Sequence, residues 1–464
     1  MTRRVAVVGA GAAGLTAALR AAEAGARVTL LNAHPKVGLK ILMAGGTRCN
    51  VTHREVSERD FNGGSRPFVA RVLRAFPVPR TLEWFESLGV ELKLEQTGKY
   101  FPVTDDAQTV LDALLSAVAR AGVELRDGAR VVRLERESGA SGSAAAGSGR
   151  GARDLRLGIQ QVRNSAAFDS GEVAGRRRTA WRLPPIEPDE WLAADAVVLA
   201  TGGLSFPRTG SDGTGYALAT ALGHTLEPPV PALTPMVATD AWCADAQGMT
   251  VEAALTLRVS GRKVATTRGS ILFAHFGYSG PAALDLSRHW HGAEDAGERR
   301  VEASFAPAET RESLVGAWLE AGRASTRRTV KRFLSERLPE RLVELMCRDA
   351  RVAPAERLAQ VDRERRGALV GLLVARPMPA SGTLGYEKAE VTAGGVRLSE
   401  VDPSTLESRV APGLHLCGEI LDVEGRLGGF NFQWAWSSGT VAGHAAARPV
   451  RPVTTGSAVA RPLR

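Results

Sequence analysis

The residues best suited to chemistry in this chain are glycines in two short segments near its opposite ends. In the first segment, Gly9, Gly11 and Gly14 form a GxGxxG turn directly after the apolar run Val5-Ala-Val-Val. The first glycine of such a turn permits a tight bend, the second lets the backbone approach a pyrophosphate, and the third lets the next helix pack closely. The turn therefore predicts a site for a dinucleotide.

The second segment contains Gly418-Glu-Ile-Leu-Asp422 after a short apolar strand, followed by Gly428-Gly-Phe-Asn431 before a helical stretch. Ligands of open parallel sheets bind outside the carboxyl ends of the strands, which is where Gly418 and Glu419 fall. Asp422 can accept a hydrogen bond from a ribityl hydroxyl, and the helix beginning near Asn431 would direct its positive end at an anionic reduced ring. Together the two segments predict one discontinuous domain around a long, phosphate-bearing cofactor, and they indicate a flavin.

The elements that must position the first turn form a βαβ unit. The segment 5–8 is β-branched and apolar, as in a buried parallel strand. The alanine-rich segment 13–24 predicts a helix that stops at Gly25, and 27–31 predicts a second parallel strand. The helix N-terminus then faces the turn, where its dipole and its free N–H groups favour phosphate.

Asn32 lies at the end of the second strand, where such units usually have an acid. A carboxylate accepts hydrogen bonds from both ribose hydroxyls, whereas an amide can accept one and donate another. We therefore expect Asn32 to bind the adenosine ribose more weakly than an acid would. No arginine follows at once, so Asn32 is not taken as a sign of NADP at this site.

A longer pattern links these segments to a known family. The stretch Val37-Gly-Leu-Lys40-Ile-Leu-Met-Ala-Gly45-Gly-Thr-Arg48-Cys-Asn50-Val-Thr52 places glycines beside two cations, which suits a loop over phosphates or an anionic ring edge. It resembles the fingerprint G-R-K-I-L-x-S-G-G-G-R-C-N-V-T-N of bacterial flavoproteins related to aminoacetone oxidase and to the bile-acid-pathway flavin reductase. This chain departs from that fingerprint at Leu39, Ala44, Thr47 and His53. The resemblance continues through segments 98–102, 197–203, 269–281, 389–396 and 418–431.

The resemblance implies an FAD-dependent oxidoreductase of the α/β class, with a Rossmann-like FAD-binding domain of the two-dinucleotide-fold type and an inserted β-rich and helical region. Thr47 stands at a usual glycine position, so a positive φ there would be costly. The residues that the resemblance and the motifs assign to the cofactor are Gly9, Gly11, Ala12, Ala13, Gly14, Asn32, Lys40, Gly45, Gly46, Arg48, Cys49, Asn50, Val131, Thr201, Gly202, Gly203, Gly418, Glu419, Asp422, Gly429, Phe430 and Asn431.

Composition and patterning predict the domain organisation. Residues 1–215 form the first part of the FAD-binding domain, with 138–190 as a flexible surface insertion that begins in a Gly/Ala/Ser tract. Residues 216–306 alternate apolar and polar side chains and predict an inserted β-rich domain. Residues 307–380 predict an inserted helical cap over the flavin, and 381–464 the second part of the FAD-binding domain with a C-terminal tail.

Composition also limits the partners. The net charge of +9 comes mostly from arginine, and the clusters at 176–178 and 327–332 have no interleaved aromatics. A basic surface is therefore favoured over a nucleic-acid site. No apolar run could span a bilayer and no signal peptide precedes the first strand, so we expect no membrane partner and a cytoplasmic location. The four cysteines lack CxxC spacing, which predicts neither a metal site nor a disulfide framework. The oligomeric state stays open.

The residues that move protons are less clearly indicated. Tyr100 and His275 are the catalytic candidates, because Tyr100 lies in a turn-forming segment and His275 in a strand-loop context where it could act as an acid. Tyr278 is a further candidate. Cys49 follows Arg48, which could lower the pKa of its thiol, but we interpret it as a buried structural thiol.

Three functions remain open. In the favoured one, NAD(P)H binds transiently and reduces FAD, and a hydride passes through flavin N5 to an unsaturated or carbonyl-bearing small molecule. A separate nicotinamide fingerprint is absent, since Gly210-Ser-Asp-Gly213-Thr-Gly215 lacks a preceding strand. The alternatives are an oxidase that passes electrons from a substrate such as an amine to oxygen, and a non-redox flavoprotein that binds nucleic acid.

Overall fold

The computed structural model of the chain describes residues 2–136, 155–164, 181–183, 185–238 and 240–449. Most of the predicted insertion at 138–190 and the C-terminal tail from 450 therefore lie outside the described residues. Among the helices of the described ranges, none combines the length and the apolarity needed to cross a membrane.

The helices and strands follow one another along the chain in three runs. The first run is β1 (Arg4–Val8), α1 (Ala12–Glu23), β2 (Arg27–Leu31), α2 (Leu39–Thr47), β3 (Thr52–His53), β4 (Phe61–Gly63), α3 (Arg66–Ala75), α4 (Val78–Ser87), β5 (Leu92–Leu94), β6 (Lys99–Pro102), α5 (Ala107–Arg120), β7 (Glu124–Arg126), β8 (Ala129–Arg136), β9 (Leu155–Gln161), β10 (Glu190–Ala194), β11 (Ala196–Leu199) and α6 (Thr214–Ala221). The second is β12 (Leu226–Ala232), β13 (Met236–Val237), α7 (Ala241–Asp245), β14 (Thr250–Val259), β15 (Arg262–Ala274), β16 (Gly277–Ser279), α8 (Pro281–Gly292), β17 (Arg299–Ser304), α9 (Arg311–Ala324), α10 (Val330–Leu334), α11 (Glu340–Asp349) and α12 (Arg363–Ala375). The third is β18 (Arg376–Pro377), β19 (Gly382–Thr383), β20 (Val391–Val396), β21 (Leu414–Leu416), β22 (Val423–Gly425) and α13 (Phe430–Ala447).

A five-stranded parallel sheet of order β21-β11-β1-β2-β7 organises the first and third runs. Strand β21 comes from the C-terminal part of the chain, so the second glycine segment ends beside the first. Helices α1 and α13 lie backbone to backbone, because a Cβ at Gly439 would come 2.5 Å from the Ala13 carbonyl oxygen and one at Gly443 2.3 Å from that of Ala17. The predicted discontinuous Rossmann-like α/β fold is confirmed.

The middle of the chain builds a second hydrophobic core. A seven-stranded antiparallel sheet of order β18-β17-β14-β15-β16-β13-β19 packs against α9 to α12. Trp318 and Phe333 are buried there, with their ring centroids 5.4 Å apart. Strands β12 and β20 form an antiparallel pair where the chain enters and leaves this region. Helix α6 packs in the first core, so that core extends past the boundary predicted at residue 215.

One described part of the predicted flexible insertion is a regular strand. Leu155, Leu157 and Ile159 of β9 are buried, and β9 lies between β8 and β10 in an antiparallel sheet. The prediction of a flexible loop is therefore wrong for residues 155–161. The alternation of apolar residues at every second position is typical of a half-buried strand. Residues 137–154 and 165–180 lie outside the described residues.

Candidate active site

A cleft of about 500 Å³ lies outside the carboxyl ends of β1, β11 and β21, where open parallel sheets bind their ligands. Its volume is in the range of small-molecule and cofactor sites. The predicted cofactor residues that line it are Gly9, Gly11, Ala12, Ala13, Asn32, Lys40, Gly45, Gly46, Arg48, Asn50, Val131, Thr201, Gly202, Gly418, Glu419, Gly429 and Asn431. The fold thus brings residues from both ends of the chain into one site.

The N-terminus of α1 faces this cleft. Gly11 precedes the helix with no side-chain cap, so the N–H groups of the first turn are left for a ligand. A Cβ built at Gly11 would meet no protein atom within 4 Å, whereas one at Gly14 would lie 1.8 Å from the Gly9 carbonyl oxygen. Gly11 therefore borders open space, and Gly14, which does not line the cleft, is required for packing.

Asn32 contributes to this site mainly by holding its own loop. Its Oδ1 accepts a hydrogen bond from the Ala10 N–H at 3.2 Å. Its Nδ2 donates to the carbonyl oxygens of His34 at 2.6 Å and Lys36 at 3.2 Å. Both amide hydrogens are thus engaged, and the predicted ribose contact is left with only the second lone pair of the oxygen.

Residues of the segment 210–215 line the same cleft as Asn32. Arg130 forms an ion pair with Asp212 and donates a hydrogen bond to Thr214 Oγ1 at 3.1 Å. Asp212 also accepts a hydrogen bond from the Thr214 N–H at 2.9 Å, at the start of α6. These glycine-flanked residues belong to the same cleft as Gly9 and not to a separate nucleotide site.

A partly buried polar network joins separate parts of the chain at the wall of the cleft. Lys40 Nζ donates to Ser205 Oγ at 2.6 Å and lies 2.8 Å from Glu419 Oε2. Ser205 Oγ donates to Glu419 Oε1 at 2.9 Å, and the Thr392 N–H donates to the same oxygen at 2.8 Å. The sequence reasoning missed Ser205 and Thr392, although both lie in or beside motifs that carried the resemblance. The network fixes β20 against the two glycine turns.

Glu390 directly precedes β20, lines the cleft and was also missed. Its N–H donates to the Leu233 carbonyl at 3.2 Å, and its carbonyl accepts from Ser205 Oγ at 3.2 Å, so its backbone is held. The side chain is exposed to the open cleft, with much of the protein packed around that cleft. Burial raises the pKa of this carboxyl to about 7; Lys99 opposes the shift and Asp285 adds to it. At neutral pH this group can either hold or release a proton.

The structure does not bring the two predicted catalytic residues to the cleft. In β6, Lys99 and Phe101 line the cleft, so Tyr100 between them points to the other face of the strand. His275 is exposed in the turn between β15 and β16, with its ring 5.0 Å from that of Phe276. The lining of the cleft therefore does not support Tyr100 and His275 as the residues that carry the chemistry. Tyr278 is buried in the second core and donates to Asp240.

The loop after α2 closes the other end of the cleft. The Arg48 guanidinium lies 3.9 Å from the centre of the Phe101 ring and pairs with Glu95 at 2.7 Å and Asp105 at 3.3 Å. The carboxylates of Glu95 and Asp105 therefore balance the positive charge of Arg48, which was predicted to line the flavin. With its amide oriented to satisfy its neighbours, Asn50 accepts a hydrogen bond from the Gly429 N–H at 3.0 Å. That bond ties this loop to the C-terminal segment.

Several predicted cofactor contacts are instead structural. Asp422 is buried outside the cleft, and burial raises the pKa of its carboxyl. Phe430 is fully buried, with its ring stacked 4.8 Å from that of His53. Gly203 makes room for Thr392, since a Cβ there would lie 2.4 Å from its Oγ1. Asn431 lines the cleft, but its amide exchanges hydrogen bonds of 2.8 and 2.9 Å with Gly425. The lining of the cleft therefore does not support the predicted ribityl contact through Asp422.

All four cysteines are buried and unpaired in disulfides. Burial raises the pKa of the Cys49 thiol to about 12 and those of Cys243 and Cys347 to about 11. Cys49 does not line the cleft, so it is a structural thiol. We expect the cysteines of the native protein to react hardly at all with the disulfide reagent DTNB at pH 8. In the unfolded protein all four cysteines should react. Rapid reaction of one thiol in the native protein would contradict this assignment.

Thr47 has a φ of 69°, so it adopts the left-handed backbone that its sequence position predicted. A β-branched residue in that region costs roughly 1–2 kcal/mol, and Thr47 is exposed. We expect Thr47→Gly to raise the free energy of unfolding by about 1 kcal/mol, measured by urea denaturation. The exposed Thr97, which has no positive φ, is the matched control, and Thr97→Gly should lower stability. If Thr47→Gly is no more stable than the parent protein, the backbone at Thr47 is not strained.

The parallel sheet, the glycine turns and the cleft define a dinucleotide-binding protein of the Rossmann type. The model of the HI0933-like protein Rossmann domain matches residues 3–151 and 167–445. The chain therefore belongs to the HI0933-like family, and the resemblance to FAD-dependent oxidoreductases drawn from its motifs is confirmed.

Individual relatives cover nearly the whole chain. It is 32% identical over 450 residues to a 3-dehydro-bile acid delta(4,6)-reductase of Clostridium scindens, covering 96% of this chain and 99% of the relative. It is 29% identical over 434 residues to a ribosomal RNA dihydrouridine synthase of Haemophilus influenzae, covering 93% and 95%. A solved structure of a 3-ketosteroid-delta4-(5alpha)-dehydrogenase from Rhodococcus jostii aligns with a TM-score of 0.45 at 16% identity, over 96% of this chain and 97% of that one.

Proposed function

We propose that this protein is an FAD-dependent reductase that uses NAD(P)H to saturate a carbon–carbon double bond conjugated with a carbonyl group in a small molecule. The observation that carries the proposal is the Glu390 carboxyl, whose pKa burial raises to about 7 and which lines the cleft formed by the glycine turns. The names of two relatives, a delta(4,6)-reductase and a dihydrouridine synthase, both describe the addition of hydrogen to a double bond.

The residues of the cleft fit FAD. The uncapped N-terminus of α1 and the open space beside Gly11 suit a pyrophosphate. Asn32, Val131 and the 210–215 segment would border the adenosine, and the loop after α2 with Gly418 and Gly429 would border the ring. When bound, FAD supplies hydride transfer at its N5 position, and nicotinamide binds transiently as the donor.

The chain's own residues supply the proton and the positioning. Hydride addition to one carbon of a conjugated double bond leaves negative charge on the carbonyl side, which a proton must neutralise. Glu390 can hold that proton at neutral pH because burial raises the pKa of its carboxyl. A hydrogen-bond network holds the start of β20, and therefore Glu390, in a fixed place. It consists of Lys40, Ser205, Glu419 and Thr392.

Anaerobic mixing of the purified, FAD-loaded protein with NADH or NADPH tests the reductase directly. We expect one of the two to bleach the flavin band near 450 nm, and an α,β-unsaturated ketone to restore it without oxygen. Bleaching by neither nucleotide would refute the proposal. Bleaching by an amine, with peroxide formed under air, would select the oxidase.

A uracil ring in RNA is the second candidate substrate, since one relative is named a ribosomal RNA dihydrouridine synthase. The net charge of +9 is compatible with that substrate. Analysis of RNA incubated with the reduced protein separates the two, because dihydrouridine would appear only in the second case. Salt-sensitive RNA retention with no flavin reduction would instead favour the non-redox role.

A further inference from the structure

A second, smaller cavity lies beside the cleft, and none of the predicted cofactor residues lines it. It has a volume of about 260 Å³ and is called the anion chamber here. Its charged lining residues are Arg59, Asp60, Arg268, Asp285, Arg288, His289, Glu424 and Arg426. Four of these residues carry guanidinium groups.

Part of the positive charge of the four arginines is balanced by carboxylates that line the same chamber. Arg426 pairs with Asp60 at 2.8 Å, and Arg288 forms an ion pair with the buried Glu424. Burial lowers the pKa of His289 to about 4, so its ring is neutral and adds no charge at pH 7. Burial raises the pKa of Glu424 to about 7, which weakens its negative charge, and burial also raises the pKa of Asp285.

Arg59 and Arg268 differ from the other two arginines. Both are exposed at the chamber, and among the described residues neither forms an ion pair with a carboxylate. They come from separate elements, since Arg59 precedes β4 and Arg268 lies on the long strand β15 of the inserted sheet. Two unpaired guanidinium groups facing one cavity are suited to a carboxylate or phosphate, which they can bind with charge-assisted hydrogen bonds.

The chamber and the cleft adjoin one another. Leu233 lines both, and the backbone passes from Arg426 in the chamber to Leu427 and Gly428 in the cleft. The Leu427 N–H donates to the Asp285 carboxylate at 2.9 Å. Asp285 is also one of the groups that raises the pKa of Glu390. A ligand in the chamber therefore lies next to the proposed proton donor.

We infer that the anion chamber binds an anionic group of the substrate, so that the substrate is a small acid or phosphate ester whose reacting double bond extends into the cleft. This inference rests on the reductase proposed above. A volume of about 260 Å³ has room for one such group and its link, but not for a run of nucleotides. Arg59 and Arg268 would then set both the affinity and the direction in which the substrate enters.

The test uses a matched pair of probes, a 3-oxo-4-ene steroid with a side-chain carboxylate and its neutral methyl ester. Each is titrated into the FAD-loaded protein, and the perturbed flavin spectrum gives Kd without turnover. We expect Arg59→Gln and Arg268→Gln each to weaken binding of the acid about tenfold and to leave the ester unchanged. Inorganic phosphate should compete with the acid in the parent protein and not in the double variant. Arg262→Gln, at an exposed position of β15 outside the chamber, is the control.

The inference would be overturned if the arginine variants lost affinity equally for the acid and the ester, or lost affinity for neither. It would also be overturned if the parent protein bound neither probe. An Arg59- and Arg268-dependent retention of RNA with no preference for the acid would overturn it as well. The reductase is judged separately, by bleaching and reoxidation of the flavin. If the protein reduces the ester and the acid equally well, the role of the anion chamber is refuted and the reductase stands. If the acid binds through Arg59 and Arg268 but is not reduced, the reductase is refuted and the anion-binding role stands.

Discussion

Glu390→Gln is expected to lower kcat for reduction of an unsaturated ketone by roughly a hundredfold to ten-thousandfold, the usual contribution of a general acid. Glutamine keeps the size and polarity of the side chain but cannot donate an acidic proton. Reduction of the flavin by NAD(P)H should be unchanged, because it draws no proton from Glu390. Stopped-flow measurement of the two half-reactions separates these effects.

The pH dependence of the same reaction gives an independent reading. Because burial raises the pKa of the Glu390 carboxyl to about 7, the protonated form dominates below that pH and is lost above it. The rate of substrate reduction should therefore fall as the pH rises through about 7, and Glu390→Gln should remove that step. Glu387→Gln, three residues away and outside the cleft, should behave like the parent. A Glu390→Gln variant within twofold of the parent would show that the proton comes from elsewhere.

Gly11→Ala is expected to abolish FAD retention while leaving the fold intact. A Cβ at Gly11 meets no protein atom within 4 Å, and the backbone there, with φ −84° and ψ −171°, is allowed for alanine. The added methyl would occupy space that the pyrophosphate needs, so we expect FAD affinity to fall by about a hundredfold or more. Flavin absorbance after gel filtration and circular dichroism of the apoprotein measure the two properties.

Substitutions at two further glycines serve as comparisons for Gly11→Ala. At Gly14 a Cβ would lie 1.8 Å from the Gly9 carbonyl, so Gly14→Ala should destabilise the apoprotein itself by several kcal/mol. Gly316 is exposed in α9 with open space around it, and Gly316→Ala should gain up to about 1 kcal/mol from helix propensity and keep its FAD. Normal FAD content in Gly11→Ala would contradict the placement of the pyrophosphate.

The sequence alone was sufficient for the features that depend on local chemistry. The order of apolar strand, glycine turn and alanine-rich helix predicts β1, the turn and α1, because each needs only neighbouring residues. Thr47 was expected to be strained from its place among glycines, and its φ of 69° agrees. The C-terminal glycines were assigned to the same site by motif, and β21 does bring them beside β11.

The tertiary structure decided which side chains face the cleft. Tyr100 and Lys99 are adjacent in sequence, but the pleat of β6 turns only Lys99 to the cleft. Asp422 looked suited to a ribityl hydroxyl, yet the fold around β22 buries it away from the cleft. Glu390 lies in segment 389–396, which carried the family resemblance, but the sequence assigned it no chemical role. The raised pKa of its carboxyl comes from desolvation within the cleft and from Asp285, which is distant in sequence, so it exists only once the chain has packed.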